Sequence, residues 1–273
     1  MPGLVLRTLR APLAPVLDHR SLTWELAKRD VLGRYRGASF GLLWSLLSPF
    51  LMLVIYTFAF GTVLGGRWPE VESGGASFAI VLFAALLVHG FFAECLNKAP
   101  MLVAAQPGFV KRVVFPLDLL PWPMVLSAGF HAITNLAVFL ALQAILDGGV
   151  QATALWFPVV LLPLAVLALA VGWALAALGV YLRDIGQVTP LLSVALLFLS
   201  SAMVPPSVVP DEYRALFELN PLTFLMEQSR DVLVRGVAPD LAGLGLYAIA
   251  AFVLAVLARG LFGRLRRGFA DVL

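Results

Sequence analysis

With 61% hydrophobic and only 13% charged residues over 273 positions, against about 25% charged in ordinary soluble domains, the chain has more apolar surface than a water-soluble core could hide. A nucleic-acid role would need a soluble basic domain, and a formal net charge of +3 spread over this composition supplies none. Cys95 is the single cysteine, so no internal disulfide can form, and His19, His89 and His131 lack zinc-ligand spacing, so no metal site is expected.

In chain order, the first 27 residues are not expected to form a signal peptide, because Pro12 and Pro15 interrupt any apolar run and Arg7, Arg10, Asp18, His19 and Arg20 surround it. They read as a cytoplasmic arm lying along a membrane surface. Uncharged stretches then occupy 37–66, 73–93, 119–146, 148–182, 185–210 and 241–258. A hydrocarbon layer of about 30 Å takes roughly 20 apolar residues, and a central charge costs on the order of 3 kcal/mol. An all-α integral membrane protein with six transmembrane helices is the expectation.

The first span is expected over 37–63, with Pro49 in mid-helix where a missing backbone bond bends it. Span two covers 76–96 and ends near Glu94 and Asn97, with Glu94 expected to pair with Lys98 one turn on. Residues 97–118 are too short and too charged to cross, and form a connector with a short helix between Pro100 and Pro107. Spans three, four and five fall at 119–146, 152–181 and 187–204. Between 205 and 236, Pro210 opens one short helix and Asn220 caps a second, with Pro221 at its first position and Gly236 at its stop. In that second helix Leu222, Leu225, Met226 and Leu233 share an apolar face while Glu227, Arg230 and Asp231 stay polar. Neither helix can span, so the pair reads as re-entrant or surface-lying. Span six covers 241–258, and 259–273 is a basic tail. With both termini inside, fifteen of the nineteen Lys and Arg residues lie on the inner side, the sense of the positive-inside rule.

No GxxxxGK[ST] loop is present, so the chain does not hold ATP in that phosphate cradle. The spans lack the carboxylate or histidine relay of an ion-driven transporter, and no catalytic set emerges; Arg183 and Asp184 read as a surface turn. A transport protein of this kind is passive or borrows its driving force.

Four stretches, "RYRGASFGLLWSLLSPF" (34–50), "VKRVVFPLDLLP" (110–121), "YLRDIGQVTPLL" (181–192) and "LNPLTFLMEQSRDVLVRG" (219–236), resemble signatures of the ABC-2-type polysaccharide exporter membrane subunits. That family serves capsular polysaccharide, O-antigen and teichoic acid export. The likeness departs at Leu117, where members commonly carry a basic residue. It implies a homodimer of six-helix subunits in the inner membrane, a cytoplasmic nucleotide-binding ATPase that alone binds ATP and Mg, a lipid-linked polysaccharide as substrate, and room for periplasmic or outer-membrane export partners. It also implies an amphipathic interface helix at 20–32 within an arm of 1–36, a transmembrane domain of 37–258, a coupling connector at 97–118 and outer gate helices at 205–236.

On this reading Arg34, Tyr35 and Arg36 meet a lipid pyrophosphate or acidic linker, because guanidinium forks match phosphate oxygens; orientation by positive-inside charge is the competing reading. Phe40, Trp44, Tyr56 and Phe60 are candidates to line a glycan channel by stacking on sugar faces, although an ideal helix does not aim both pairs inward. Lys98, Met101, Gln106, Phe109, Lys111 and Arg112 are candidates for ATPase contact, and Pro210, Asn220, Pro221 and Phe224 for an outer gate. The alternatives are an exporter of small hydrophobic compounds and a non-transporting membrane enzyme or scaffold of glycan assembly.

Overall fold

The computed structural model describes residues 12–59, 77–110, 115–205 and 209–273, and among these it is helical without a strand. In chain order the helices are α1 (Ala14–Asp18), α2 (Arg20–Tyr35), α3 (Trp44–Tyr56), α4 (Phe78–Lys98), α5 (Met101–Ala104), α6 (Pro107–Val110), α7 (Pro121–Leu146), α8 (Phe157–Tyr181), α9 (Ile185–Phe198), α10 (Asp211–Leu219), α11 (Thr223–Arg230), α12 (Leu241–Leu265) and α13 (Phe269–Val272). Five stretches among the described residues are long and apolar enough to cross a membrane: Gly41–Ala59, Phe78–Lys98, Leu117–Leu146, Ala152–Tyr181 and Leu241–Val272.

Helix α9 is the exception to the six expected. Its 14 residues reach about 21 Å at 1.5 Å per residue, short of a hydrocarbon layer of about 30 Å. The expected span of 187–204 therefore begins two residues earlier and gives out at Phe198. The backbone beyond it is irregular, and side chains take over its hydrogen bonds. Ser200 Oγ donates to Leu197 O and accepts from Ala202 N–H, and the Asn220 amide donates to Leu196 O and Leu199 O, both at 2.8 Å. Orphan carbonyls at a helix C-terminus need such partners, all the more where water is scarce.

Three other boundaries move. The first span starts with a tight turn at Gly41–Leu43 rather than at 37, because Gly37 and Gly41 adopt φ of 84° and 50°, outside any helix. Pro49 lies inside α3 as expected. The second outer helix begins at Thr223, so Pro221 and Leu222 form a turn; Asn220 Oδ1 accepts from Leu222 N–H at 2.9 Å. At the C-terminus α12 continues through Arg259 and Arg264 to Leu265, since cations end hydrocarbon burial but not helix formation. The residues expected as a basic tail fold back instead: Phe269 is fully buried against Phe262 and Tyr181.

Hydrogen bonds sort the elements between two ends of the bundle. At one end Trp122 donates to Pro12 O, Lys98 meets Asp30, Tyr181 donates to Leu265 O, and Arg259 pairs with Asp118. Both described termini lie at this end. At the other end Ser77 N–H donates to Asp147, Gln143 to Leu233 O and Thr153 to Val232 O. The centre is the packing of α8 on α12, where Ala251 and Ala255 are buried, while Gly172 and Gly179 of α8 turn to Met124 and Pro121 of α7 and to Pro100. Small residues permit the close backbone approach on which helix association in lipid depends.

Candidate functional site: a cavity with a charged mouth

A cavity of about 1130 Å³ opens between α2, α3, α4 and α7. Its deeper wall is apolar, with Met52, Leu53, Phe83, Leu86, Met124 and Leu197. At the bundle end that holds the connector its lining turns polar, with Arg29, Asp30, Arg34, Tyr35, Glu94, Lys98 and His131.

The Glu94 carboxylate organises that mouth. Arg34 Nη1 lies 3.1 Å from Oε1, Lys98 Nζ 2.9 Å from the same oxygen, and His131 Nδ1 2.8 Å from Oε2. Lys98 also holds Asp30 at 2.8 Å. Three elements thus converge on one acid: α2 through Arg34, α4 through Lys98 and α7 through His131. Exposure is uneven, since the Arg34 side chain is 50% exposed but those of Glu94 and His131 only 12% and 9%. The expected Glu94–Lys98 pair is present, and it is one contact of several. Tyr35 packs edge-on to His131 with centroids 5.8 Å apart. Burial pushes its phenol above the usual range, opposed in part by the neighbouring Arg34 cation. The mouth offers ionic and hydrogen-bonding groups, the cavity behind it an apolar lining; together these suit an amphiphile with an anionic head.

The candidates from sequence divide around this cavity. Arg34 and Tyr35 line it, while Arg36 follows α2 as an exposed residue and is not among the lining groups. Trp44 and Tyr56 line it from α3. Phe40 stands outside, 58% exposed, with its ring edge-on to Trp44 at 6.0 Å. Lys98, Met101 and Gln106 of the connector also face the cavity. The connector holds two short helices rather than one, and Phe109 stacks on Phe115 at 4.1 Å. Phe60, Lys111 and Arg112 lie outside the described residues.

In the outer pair, Pro210 immediately precedes α10, as expected. Asn220 and Pro221 sit at the tip between α10 and α11. Tyr247 Oη donates to Pro221 O at 2.9 Å, and Phe224 stacks on the Tyr247 ring at 6.3 Å. Tyr247 lies six residues into α12, about 9 Å along its axis, so the tip reaches well past that helix's start. The polar face expected on α11 is corrected at Arg230, which is fully buried. Its Nε donates to Val81 O, Nη2 to Ala202 O, and Nη1 to Glu227 at 2.6 Å. Its guanidinium satisfies carbonyls of α4 and of the irregular backbone after α9 rather than facing solvent.

Sequence reasoning missed the convergence on Glu94 and gave His131 little weight. The rule that ionisable groups inside a span are functional candidates by default was the available signal. It also missed Asp118–Arg259 at 2.8 Å, which ties the connector's end to α12. No sequence signal marks Gly179, where a Cβ would come within 2.2 Å of the Pro100 carbonyl oxygen.

Comparison with known proteins places this architecture. The chain is 26% identical over 256 residues to an O-antigen export system permease protein RfbA of Myxococcus xanthus, covering 93% of this chain and 96% of that protein. It is 21% identical over 249 residues to an RfbA of Klebsiella pneumoniae, covering 91% and 93%. Against a polysialic acid transport protein KpsM of Escherichia coli it is 26% identical over 243 residues, covering 85% and 88%. The family model described as ABC-2 type transporter matches residues 21–234, from the start of α2 through α11, and the chain belongs to that membrane family.

Proposed function

We propose that this chain is the inner-membrane permease subunit of an ATP-driven exporter of a cell-surface polysaccharide, an O-antigen, capsular polysaccharide or similar lipid-linked glycan. The observation that carries this reading is similarity along nearly the whole length to proteins named for O-antigen export and polysialic acid transport, joined to a cavity with an apolar lining and a cationic mouth.

In this reading the end bearing the connector is cytoplasmic, in keeping with the positive-inside sense of the charges. The chain crosses six times, with α9 as a short crossing completed by the re-entrant pair α10 and α11, whose tip at Asn220 and Pro221 forms the outer gate. A homodimer encloses the glycan path between protomers. The exposed apolar residues of α3 and α9, among them Phe50, Ile55, Leu191 and Val194, meet lipid or the second copy. The subunit has no ATPase chemistry of its own; a partner ATPase binds ATP and Mg and presses on the connector around Met101, Gln106 and Phe109. Asp118–Arg259 and the contact of Pro100 with Gly179 carry that displacement into α8 and α12. Arg34 and Tyr35 face the lipid phosphate, while Trp44 and Tyr56 offer rings on which sugar units slide.

The test is co-expression with a candidate partner ATPase that bears a phosphate loop, co-purification, and reconstitution in vesicles. ATP-dependent movement of lipid-linked glycan that needs both subunits is expected. Uphill transport by this chain alone, or failure to bind any ATPase with a phosphate loop, refutes the reading.

A further inference from the structure

Arg34 is not an idle cation awaiting a ligand; it is already engaged by Glu94 at 3.1 Å. The carboxylate occupies Nη1, so an anion that takes this guanidinium by that edge displaces it. The geometry makes that exchange inexpensive for Glu94 and feasible for Arg34. Glu94 keeps Lys98 at 2.9 Å and His131 at 2.8 Å when Arg34 leaves, so no buried charge is stranded. Arg34 is the most exposed of the three partners, with half its side chain open. Arg29 lines the same mouth from the same helix and has no ion-pair partner among the described residues. Arg36 does not line it.

We infer that Arg29 and Arg34 form a clamp for the phosphate of an amphiphile whose apolar chain enters the cavity, and that Glu94 is its resident competitor, holding Arg34 in the empty state and yielding it on loading. The inference rests on the export reading for the identity of the amphiphile, but not for the clamp. It narrows the expected trio of Arg34, Tyr35 and Arg36 by replacing Arg36 with Arg29. It also gives Glu94 an unusual signature: removing an acid from the site strengthens binding, whereas an acid that only braced the fold would weaken it on removal. Exchange at Arg34 also releases one of the two ionic ties between α2 and α4, leaving Asp30–Lys98, so loading loosens the helix that leads into α3.

The experiment uses the full chain in nanodiscs of neutral lipid, with farnesyl pyrophosphate as probe and binding read by microscale thermophoresis. Loss of one charge-assisted contact corresponds to about tenfold in affinity. Arg29→Ala and Arg34→Ala are each expected to weaken binding about tenfold, with Arg36→Ala unchanged. Glu94→Gln is expected to tighten it severalfold. An Arg34→Ala/Glu94→Gln double variant should bind like Arg34→Ala, because the competitor acts only through that guanidinium. Unchanged or weaker binding by a folded, monodisperse Glu94→Gln variant overturns the proposal. If that variant does not fold, Glu94→Asp, with its carboxylate drawn back by one methylene, is expected to tighten binding less, and weaker binding overturns it equally. Inorganic pyrophosphate competing as well as the farnesyl ester overturns the placing of the apolar chain in the cavity. None of these readings needs ATP or an ATPase, so absence of export would refute the proposed function while leaving the clamp standing.

Discussion

Replacing Asn220 should injure the protein in a way that depends on which half of the amide is lost. Its amide nitrogen donates to Leu196 O and Leu199 O at 2.8 Å each, and its Oδ1 accepts from Leu222 N–H at 2.9 Å. The residue is 8% exposed. At about 1 kcal/mol net per hydrogen bond in folded proteins, and about 0.6 on average for polar contacts between membrane helices, Asn220→Ala is expected to cost about 2 to 3 kcal/mol. Asn220→Asp preserves the acceptor and the shape but turns a carboxylate toward two carbonyl oxygens. Burying a charge without a partner is worse than losing the bonds, so this variant should be the less stable by at least about 1 kcal/mol. Its deficit should be full at neutral pH and shrink as pH falls, because burial raises the carboxyl pKa and the protonated acid regains one donor. Equilibrium unfolding in mixed micelles, followed by helical circular dichroism across pH 5–8, measures both differences. Asn220→Ala within about 0.5 kcal/mol of the parent, or Asn220→Asp no worse than Asn220→Ala, would mean that water already serves these carbonyls and that the tip does not cap α9.

Further outcomes are expected elsewhere. Gly179→Ala puts a methyl 2.2 Å from the Pro100 oxygen, a backbone atom that cannot rotate aside, and should cost about 1–3 kcal/mol or more; Gly172→Ala meets Met124 Cε and Pro121 Cβ at 3.0 Å and should cost less, as thermal unfolding of the two variants will show. Asp118→Asn removes the partly exposed pair with Arg259 at about 1 kcal/mol and should reduce export more than it reduces ATP hydrolysis. Recovery of export in the exchange Asp118→Arg/Arg259→Asp checks that the pair, not either residue, is responsible. Tyr56→Ala and Trp44→Ala should slow export at equal subunit abundance while Phe40→Ala leaves it unchanged, because only the first two line the cavity; equal effects from all three would remove the cavity from the glycan path.

The long helices were legible because lipid imposes a simple rule on sequence: an uncharged run of sufficient length is a span. Spans two, three and four, counted with the short helical turns that lead into them, appear within about two residues of where charge and apolar runs placed them. The rule fails where backbone leaves helical geometry without leaving apolar surroundings. Nothing between 185 and 210 carries a charge, so composition could not show that α9 stops at Phe198. Termination is set by Asn220 and Arg230, more than 20 residues downstream, and sequence offers no means to pair them with Leu196, Leu199 and Ala202. The site was half legible for a similar reason. Arg34, Tyr35, Trp44, Tyr56 and Lys98 stood out by residue type, but the acid at their centre was read as a local partner of Lys98. Its other contacts come from residues 60 positions before it and 37 after.

The two ends of the bundle solve the problem of polar groups at membrane depth in opposite ways, and this bears on which end can move. Near the far end Arg230 is wholly buried, with donors fixed on Val81 O, Ala202 O and Glu227. Withdrawing it would break its bonds to two carbonyls and to Glu227 at once, although Glu227 keeps Arg235 at 3.1 Å, a change that costs several kcal/mol. Near the connector, Glu94 is held by three side chains of unequal exposure, Arg34, Lys98 and His131, and each can leave while the others remain. A cluster with redundant partners tolerates exchange; a single guanidinium spanning three elements does not. Rearrangement should therefore begin where Arg34 meets Glu94, and α11 should travel with α4 as one body, pivoting about the tip at Asn220 rather than breaking at Arg230. A disulfide between Ala84→Cys and Ser229→Cys, placed where Ser229 Oγ already donates to Ala84 O at 2.8 Å, should then leave export intact, and its abolition of export would show that α11 slides on α4 during the cycle.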